Sequence, residues 1–385
     1  MFGVALRLGL TSFGGPTAHI GYFREAYVAR RRWLDDAVFA DLVALVQFLP
    51  GPASSQLGLA IGMVRAGPLG GLAAWLGFTL PSAVLLVAFG YGVGGGDVAG
   101  EGWVHGLELA AVAVVATAVW QMARTLARGV VRGAIAALAA TVVLAWGGPA
   151  AQVLVIGAGG LLGWRLLTTA EAPAARPALE FGVPRSVAIG ALCLAMALLG
   201  ALPLADRATS SHAVALTSGM YQSGALVFGG GHVVLPLLQA RTVAAGWVSQ
   251  GDFVAGYGAA QAVPGPLFTF AGYLGAVSGP EPNGVPGAAL ALVAIFLPGL
   301  LLVVGAAPFW TLLRARRGSA AVLAGVNAAV VGLLLAALYR PLVSTAVSDA
   351  GDVAIALAAL GLLAVLRAPP WTVVAACAVA GQLLT

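Results

Sequence analysis

The stretch Gln47-Phe48-Leu49-Pro50-Gly51-Pro52 lies between two apolar segments, and its pattern returns 214 residues later as Gln261-Ala262-Val263-Pro264-Gly265-Pro266. Seven positions keep this constant offset: Trp33, Phe39, Gln47, Pro50, Gly51, Pro52 and Gly58 recur as Trp247, Phe253, Gln261, Pro264, Gly265, Pro266 and Gly272. Self-similarity at a fixed spacing is the signature of a duplicated unit. We therefore interpret the chain as two homologous halves, residues 1–167 and 186–385, joined by a more polar linker at residues 168–185.

The composition places both halves in a lipid bilayer. Of the 385 residues, 60% are hydrophobic and only 9% are charged, and the mean hydropathy is +0.98. A soluble globular domain has about a quarter of its residues charged, so that class is excluded. At roughly 20 apolar residues per crossing, the chain has room for about a dozen spanning or half-spanning segments. The expected fold class is an all-α polytopic membrane protein.

The charged residues indicate how the two halves are oriented, because loops rich in Arg stay on the cytoplasmic side of a membrane. In the first half, basic loops at residues 24–32 and 124–132 flank an acidic loop that holds Asp97 and Glu101. In the second half, the counterpart of the acidic loop contains Arg314, Arg316 and Arg317. The counterpart of the later basic loop contains Asp349 and Asp352. This swap predicts an inverted-topology repeat, a construction typical of secondary transporters.

The same topology predicts broken helices. If Arg32 lies inside and Asp97 lies outside, the chain crosses an odd number of times between them, and residues 67–91 supply one crossing. The segment before residue 67 must then return to its starting side. Its two arms beside Pro50-Gly51-Pro52 are each about 20 Å long as helices, short of a roughly 30 Å hydrocarbon core. We predict a broken or re-entrant hairpin here, a similar break at Gly14-Gly15-Pro16, and breaks at both equivalents in the second half.

Broken helices at membrane depth create a site suited to an anion. Irregular backbone is tolerated there only where protein buries it or a water-filled cavity satisfies it. Proline at the start of a half-helix leaves the next amides unpaired, and these amides together with the helix dipole attract negative charge. The predicted break residues are Pro16, Pro50, Pro52, Pro264 and Pro266. The predicted substrate-binding residues are the motif glycines and nearby polar side chains: Gly14, Gly15, Thr17, His19, Gln47, Gly51, Ser54, Ser55, Gly230, Gly231, His232, Gln261, Gly265 and Thr269.

Several of these residues also have a purely structural interpretation. His19 and His232 are anion donors, proton carriers or hydrogen-bonded structural residues. Asp41 and Glu108 lie in apolar runs, where a carboxylate can relay protons, yet either can equally be paired and inert near a helix end. A single Pro-Gly-Pro kink is more often packing than function, whereas its recurrence at one offset favours function. Glycines four residues apart, such as Gly159 and Gly163, indicate close helix packing.

The motifs also carry a family resemblance. Residues Phe13-Gly14-Gly15-Pro16-Thr17-Ala18-His19-Ile20, with Arg31-Arg32-Trp33-Leu34 and the run from Gln47 to Gln56, closely resemble the chromate ion transporter family. The second copy, Phe228-Gly229-Gly230-Gly231-His232 with Pro264-Gly265-Pro266, does so too. The resemblance covers essentially the whole chain in the long, two-domain form of the family. It implies export of chromate, a divalent tetrahedral oxyanion that mimics sulfate, across the bacterial inner membrane, which confers chromate resistance.

The expected function is therefore secondary transport of chromate by alternating access between the halves. Sulfate or another oxyanion is the alternative cargo, with import as the alternative direction. The chain contains no G-x-x-x-x-G-K-[ST] pattern, so the sequence does not indicate an ATPase. The expected partners are chromate, sulfate as the alternative cargo, and the bilayer, and a homodimer is left open. No cofactor, metal or nucleic acid is expected. An intramembrane enzyme would need a pattern such as G-x-S-x-G or H-E-x-x-H, which the chain lacks. A membrane sensor would need a soluble output domain, and no stretch is polar enough for one.

Overall fold

A computed structural model provides the fold, and it describes residues 1–13, 15–93, 102–146, 148–167, 181–227, 234–310, 312, 317–366 and 368–384. In this part of the chain the secondary structure is helical and contains no β-strand. Five of the described helices are long and apolar enough to cross a membrane: Ala53–Gly92, His105–Leu126, Arg185–Ala208, Gly284–Phe309 and Ala320–Ala337. The all-α membrane fold class is therefore confirmed.

The helices of the first half are α1 (Phe2–Thr11), α2 (Gly15–Phe23, followed by a π-helical turn, Arg24–Arg30), α3 (Asp36–Phe48), α4 (Ala53–Val93), α5 (Gly102–Leu126), α6 (Val130–Trp146) and α7 (Gly148–Leu166). The next are α8 (Arg185–Ala208), α9 (His212–Ala225), α10 (Val234–Thr242), α11 (Gln250–Ala262), α12 (Phe270–Val277, preceded by the 3₁₀ turn Leu267–Thr269) and α13 (Gly284–Ala306). The last are α14 (Arg317–Ala337, followed by a π-helical turn, Leu338–Val343), α15 (Ala350–Ala364) and α16 (Pro370–Leu384).

Equivalent elements in the two halves form for the same local reasons. Helix α3 and helix α11 are both 13 residues long. Each begins at a polar N-cap, since the Asp35 carboxylate accepts from the Val38 amide at 2.7 Å and the Ser249 hydroxyl accepts from the Asp252 amide at 3.0 Å. These side chains satisfy amides that have no partner within the helix. The periodic elements of the duplicated sequence thus start at matching positions.

Helix α4 is two helices that meet at a sharp turn. Ala66 (φ −149°) and Gly67 (φ +68°) leave the helical conformation, and Pro68 opens the second arm, where its missing amide hydrogen costs no helical bond. The two arms then pack closely, because a Cβ atom at Gly62 would collide with the backbone of Gly70 and Gly71. The corresponding elements of the second half, α12 and α13, approach each other equally closely at Gly275 and Gly287.

Helices of each half pack against helices of the other half, so the halves are not separate bodies. Helix α5 packs against α15 and α16, whereas its counterpart α14 packs against α6 and α7. Small residues permit both approaches: Gly159 and Gly163 lie against Gly325 without room for a Cβ atom, and Gly106 lies against the carbonyl of Cys377. The predicted role of Gly159 and Gly163 in close packing is thereby confirmed. Each half completes the hydrophobic core of the other.

One helix, α8, follows the predicted linker. The predicted linker, residues 168–185, falls mostly outside the described residues, and its last residue, Arg185, already starts α8. Only 11% of the most apolar window of α8 is buried, so this helix is placed to face lipid. The proposed boundaries of the two domains remain a prediction.

Candidate functional site

The two Pro-Gly-Pro motifs are breaks between helices with nearly identical backbone geometry. Helices α3 and α11 end just before Leu49 (φ −86°, ψ 144°) and Val263 (φ −90°, ψ 147°), which are extended as residues before proline must be. Gly51 and Gly265 then have φ of +125° and +108°, values that strongly favour glycine. The predicted breaks at both motifs are confirmed.

The break predicted near Pro16 is confirmed as well. Helix α1 ends at Thr11 and α2 begins at Gly15, which has φ of +78°. Gly14 and the side chains of Pro16 and Thr17 lie outside the described part of the structure. The same holds for Gly230, Gly231 and His232, although α9 ends at Ala225 and α10 begins at Val234 on either side of them.

Each Pro-Gly-Pro loop bonds to the other half of the molecule. The Gly51 amide donates to the carbonyl of Val227 at 2.7 Å, and the Gly265 amide donates to the carbonyl of Ser12 at 2.9 Å. Each acceptor lies just after a helix and directly before a Phe-Gly-Gly motif, Ser12 after α1 and Val227 after α9. The bonds are reciprocal, so the two loops form equivalent contacts across the interface between the halves. The Ser12 carbonyl also lies 3.2 Å from Nε2 of His19, which is buried.

A second reciprocal contact fixes the loops sterically. A Cβ atom at Gly51 would lie 3.1 Å from Cα of Gly299, and one at Gly265 would lie 2.7 Å from Oγ of Ser82. Gly299 follows Pro298 in α13, just as Ser82 follows Pro81 in α4. The first loop is further held by Gln56, whose Nε2 donates to the carbonyl of Pro50 at 2.8 Å and to that of Gly299 at 3.2 Å. Each loop thus rests on the proline-containing helix of the opposite half.

Polar atoms without a partner concentrate around these breaks. Helix α4 makes its first main-chain bond from the Gln56 amide to the Pro52 carbonyl, so the amides of Ala53, Ser54 and Ser55 precede any intrahelical acceptor. In the described residues, five side-chain atoms at the breaks are buried and lack a hydrogen-bond partner: Oγ of Ser12, Nδ1 of His19, Oγ of Ser55, Oε1 of Gln56 and Nε2 of Gln261. Buried polar atoms normally have partners. Of these five atoms, the hydroxyls of Ser12 and Ser55 and the amide nitrogen of Gln261 can donate to a bound anion.

Other predicted residues have local partners or a different setting. Thr269 is fully buried, and its hydroxyl and its amide both point to the carbonyl of Pro266, at 2.7 and 3.0 Å. Ser54 is buried in the first turn of α4, and Pro52, Pro264 and Pro266 are also buried, whereas Pro50 is half-buried. Gln47, in contrast, is exposed at the end of α3.

Gln47 and Gly51 line an open cavity of about 600 Å³. The carboxyl end of α5 contributes Gln121, Arg124 and Thr125 to the lining, Arg128 follows this helix, and α14 contributes Asn327. Arg124 lies over the ring of Trp120 at 5.9 Å, and the Arg128 side chain bonds to the Arg124 carbonyl, so both guanidinium groups are held at the rim. Gln261 and Thr269 are not part of this wall, so the cavity adjoins only the first of the two loops.

Sequence reasoning missed this cavity wall. It assigns Arg124 and Arg128 to a cytoplasmic loop and gives them no contact with the Pro-Gly-Pro motif. The available signal is the spacing of Gln121, Arg124 and Thr125, because residues three and four apart lie on one face of a helix. Which motif that face adjoins depends on how α5 packs, and periodicity does not contain this information.

The two predicted relay carboxylates have different surroundings. Asp41 is buried in α3 and has an interaction partner. Glu108 lies on α5 with its Oε2 3.6 Å from Nδ1 of His105, and Nε2 of His105 lies 2.6 Å from Oδ1 of Asp352. Asp352 belongs to α15 in the second half, so the sequence spacing of His105 and Glu108 identified only part of this cluster.

Comparison with known proteins identifies the family. The model of the chromate transporter family matches residues 1–164 and 214–382. The chain is 30% identical over 348 residues to the chromate transport protein of Pseudomonas aeruginosa, covering 87% of this chain and 78% of that protein. It is 28% identical over 373 residues to the chromate transport protein of Cupriavidus metallidurans, covering 93% and 86%. No solved structure matches significantly. With both matched regions carrying the Pro-Gly-Pro breaks, the chain belongs to the chromate transporter family, in its long form.

Proposed function

We propose that this protein exports chromate from the bacterial cytoplasm through the inner membrane and so confers chromate resistance. The observation that carries this proposal is the cavity that Arg124 and Arg128 line together with Gly51 of the Pro-Gly-Pro loop. The family and the names of its similar relatives support chromate as the cargo. Direction and mechanism rest on the arguments that follow.

The cavity has the chemistry to collect a dianion. Guanidinium groups are planar, permanently charged donors that match the oxygens of a tetrahedral oxyanion. Chromate held at Arg124 and Arg128 would lie beside Gln47 and near the start of α4, where the first amides lack helical acceptors. A helix N-terminus favours negative charge. We infer that the arginines form the entrance and that the loop, with Ser55 and Gln261 as buried donors, forms the deeper site.

The charge distribution favours export. By the positive-inside rule, Arg124 and Arg128 lie at the cytoplasmic end of α5, so the cavity opens toward the cytoplasm. The cell interior is electrically negative, and the membrane potential favours outward movement of anions by about 2.3 kcal/mol per charge per 100 mV. For a dianion this amounts to about 4.6 kcal/mol at 100 mV. Import against this field would need a driving ion.

Alternating access would follow from an inverted relation between the halves. From the α4 arm that starts at Pro68 through α7, the first half has four consecutive helices, of which α6 and α7 are shorter apolar helices. If all four cross, their even number leaves the chain on its starting side. Helix α8, which lies between the two matched regions, then carries the chain across once more. The second half therefore starts from the opposite side. The reciprocal bonds of Gly51 and Gly265 support a twofold relation in which one half rocks against the other.

Transport into everted membrane vesicles tests the proposal. Vesicles with the wild-type protein should accumulate labelled chromate when their interior is positive, and excess sulfate measures the competition between the two oxyanions. The double variant Arg124→Gln/Arg128→Gln should lose roughly tenfold or more in apparent affinity, because a hydrogen bond to a charged group contributes about 1.5–3 kcal/mol.

Arg132→Gln provides the matched control, because Arg132 belongs to the same basic region without lining the cavity. This variant should keep wild-type affinity for chromate. Equal losses in the control and the double variant would contradict a specific role for the cavity. Accumulation of sulfate in preference to chromate would establish the alternative cargo, and accumulation only in right-side-out vesicles would establish import.

A further inference from the structure

The cluster of Glu108, His105 and Asp352 joins the two halves at the end of α5 remote from the arginine cavity. His105 and Glu108 lie one turn apart on α5, and Asp352 lies in the first turn of α15. The side chains of His105, Glu108 and Asp352 are 28%, 15% and 9% exposed, so the cluster is largely enclosed and the imidazole is its most exposed member.

Asp352 is held as a fixed, ionised acceptor. Its Oδ2 accepts the amides of Ser348 at 2.8 Å and Asp349 at 3.4 Å, while its own amide donates to Oδ1 of Asp349 at 2.9 Å. This reciprocal capping box leaves Oδ1 of Asp352 for His105, at 2.6 Å from Nε2. A carboxylate with two backbone donors favours its charged form. The proton on Nε2 of His105 therefore stays in the bond to Asp352.

One further proton decides the charge of the cluster. With Nε2 protonated, Nδ1 of a neutral His105 presents a lone pair to the Glu108 carboxylate, 3.6 Å away. A proton taken from water onto Nδ1 makes His105 an imidazolium between two carboxylates, and the cluster charge changes from −2 to −1. The bond from His105 to Asp352 then becomes an ion pair between the halves. Losing this proton weakens that bond and leaves two negative charges close together.

The surroundings contribute no described counter-charge to this cluster. Helix α16 presents Cys377 and Gln382 to α5, and α14 has no ionisable residue between Gly318 and Tyr339. Helix α11 has Asp252, which is bonded to Ser249, and Tyr257, which is fully buried against Phe270. The π-helical turn adds Tyr339 and Arg340, of which the Arg340 side chain lies outside the described residues. In the described residues, no group of three His, Cys, Asp or Glu side chains is arranged to ligate a metal.

We propose that Glu108, His105 and Asp352 form a proton-binding site that locks α5 to α15 when occupied and releases it when empty. Helix α5 places this site and Arg124 19 residues apart, about 28 Å along one rigid element. Its inner end lines the anion cavity and its outer end carries the proton site. Movement of α5 during transport is therefore linked to protonation at the outer surface. This inference rests on the proposed transport function.

The experiment uses the full chain in liposomes, with the pH equal on both sides and the potential clamped by potassium and valinomycin. Chromate flux should rise with pH over the range in which the site loses its proton, and this range is the rising limb of the pH profile. Glu108→Gln removes the charge that stabilises the imidazolium, so the limb should shift to lower pH. At a pH on the limb, flux should then exceed the wild type by roughly tenfold for each pH unit of the shift. His105→Gln should remove the limb altogether.

Glu25→Gln is the matched control, because it also removes one carboxylate, from an exposed pair with Arg30 at 2.8 Å. It should keep the wild-type pH profile. Proton binding is also measured without flux, by the ¹⁵N imidazole signals of His105 in lipid nanodiscs, assigned with His105→Gln. The midpoint of these signals should move to lower pH in Glu108→Gln.

The outcomes separate the two proposals. Flux whose pH profile is the same in the wild type, Glu108→Gln and Glu25→Gln overturns the proton site and leaves chromate transport intact. Absence of chromate flux in the wild type at every pH overturns the transport proposal, whereas the imidazole titration still decides whether the cluster binds the proton. If Glu108→Gln fails to fold, the His105 signals in Asp352→Asn decide, because an unchanged midpoint there also overturns the site.

Discussion

At the scale of single residues, the site is distinguished by buried polar atoms that have no partner. Oγ of Ser55 is fully buried in the first turn of α4 and accepts or donates no hydrogen bond within the described chain. Leaving such a group unpaired costs about 1–3 kcal/mol. A bound oxyanion would supply the missing acceptor, so the cost is offset when the substrate is present.

Substituting this hydroxyl separates function from stability. Ser55→Ala should leave the melting temperature unchanged or higher, because the variant removes an unsatisfied group. Chromate binding should weaken roughly ten- to a hundredfold, because a hydrogen bond to a charged group contributes about 1.5–3 kcal/mol. Fluorescence-detected thermal unfolding and chromate titration of the purified protein measure the two effects. Ser223 serves as the control, since its hydroxyl donates to the Gly219 carbonyl at 2.8 Å. Ser223→Ala should lose stability and keep chromate affinity, and the same result for Ser55→Ala would contradict its role.

At the scale of the elements, the two loops act as interruptions that keep helix ends inside the protein. The sequence predicts these interruptions because proline excludes the helical conformation at the preceding residue, and Leu49 and Val263 adopt the extended conformation it requires. The positive φ of Gly51 and Gly265 then turns the chain toward the other half. A half-helix starts at once, which exposes its first amides at the turn.

Replacing Pro50-Gly51-Pro52 with three alanines should fuse α3 and the first arm of α4 into one continuous helix. Its amides would then pair within the helix, and chromate flux should be abolished while the protein still inserts into the membrane. Flux in vesicles and the amount of inserted protein by immunoblot are the measurements. Pro68→Ala is the control, because Pro68 stands at the start of the second arm, where no helical bond is lost. Normal chromate exclusion by cells with the triple variant would refute the site assignment.

At the scale of the whole molecule, the halves are interdependent. Helix α5 completes its packing on α15 and α16, and α14 completes its packing on α6 and α7. The loops also exchange hydrogen bonds between Gly51 and Val227 and between Gly265 and Ser12. Reciprocal contacts of this kind arise when two similar units are related by a twofold axis. The arginine distribution predicts that this axis lies in the membrane plane.

Cysteine accessibility tests the inverted orientation. In a chain whose Cys193 and Cys377 are first replaced by alanine, single cysteines at Arg31 and Asp349 should react from opposite sides of the membrane, since Arg31 lies in a basic loop and Asp349 in an acidic one. A membrane-impermeant maleimide applied to intact cells and to everted vesicles makes the measurement. Cysteines at Arg31 and Arg128 should react from one side and provide the control. Labelling of Arg31→Cys and Asp349→Cys from the same side would exclude the topology.

The sequence alone determined the family, the duplication and the positions of the helix breaks, because these depend on local chemistry. Proline and glycine act on adjacent dihedral angles, and apolar length sets which segments can enter a bilayer. The sequence alone could not determine which helices pack against one another. Three features follow from long-range helix packing: Arg124 lines a cavity together with Gly51, His105 bonds to Asp352 across 247 residues, and α5 packs within both halves. Periodicity defines the faces of a helix, and only the tertiary structure decides which neighbour each face meets.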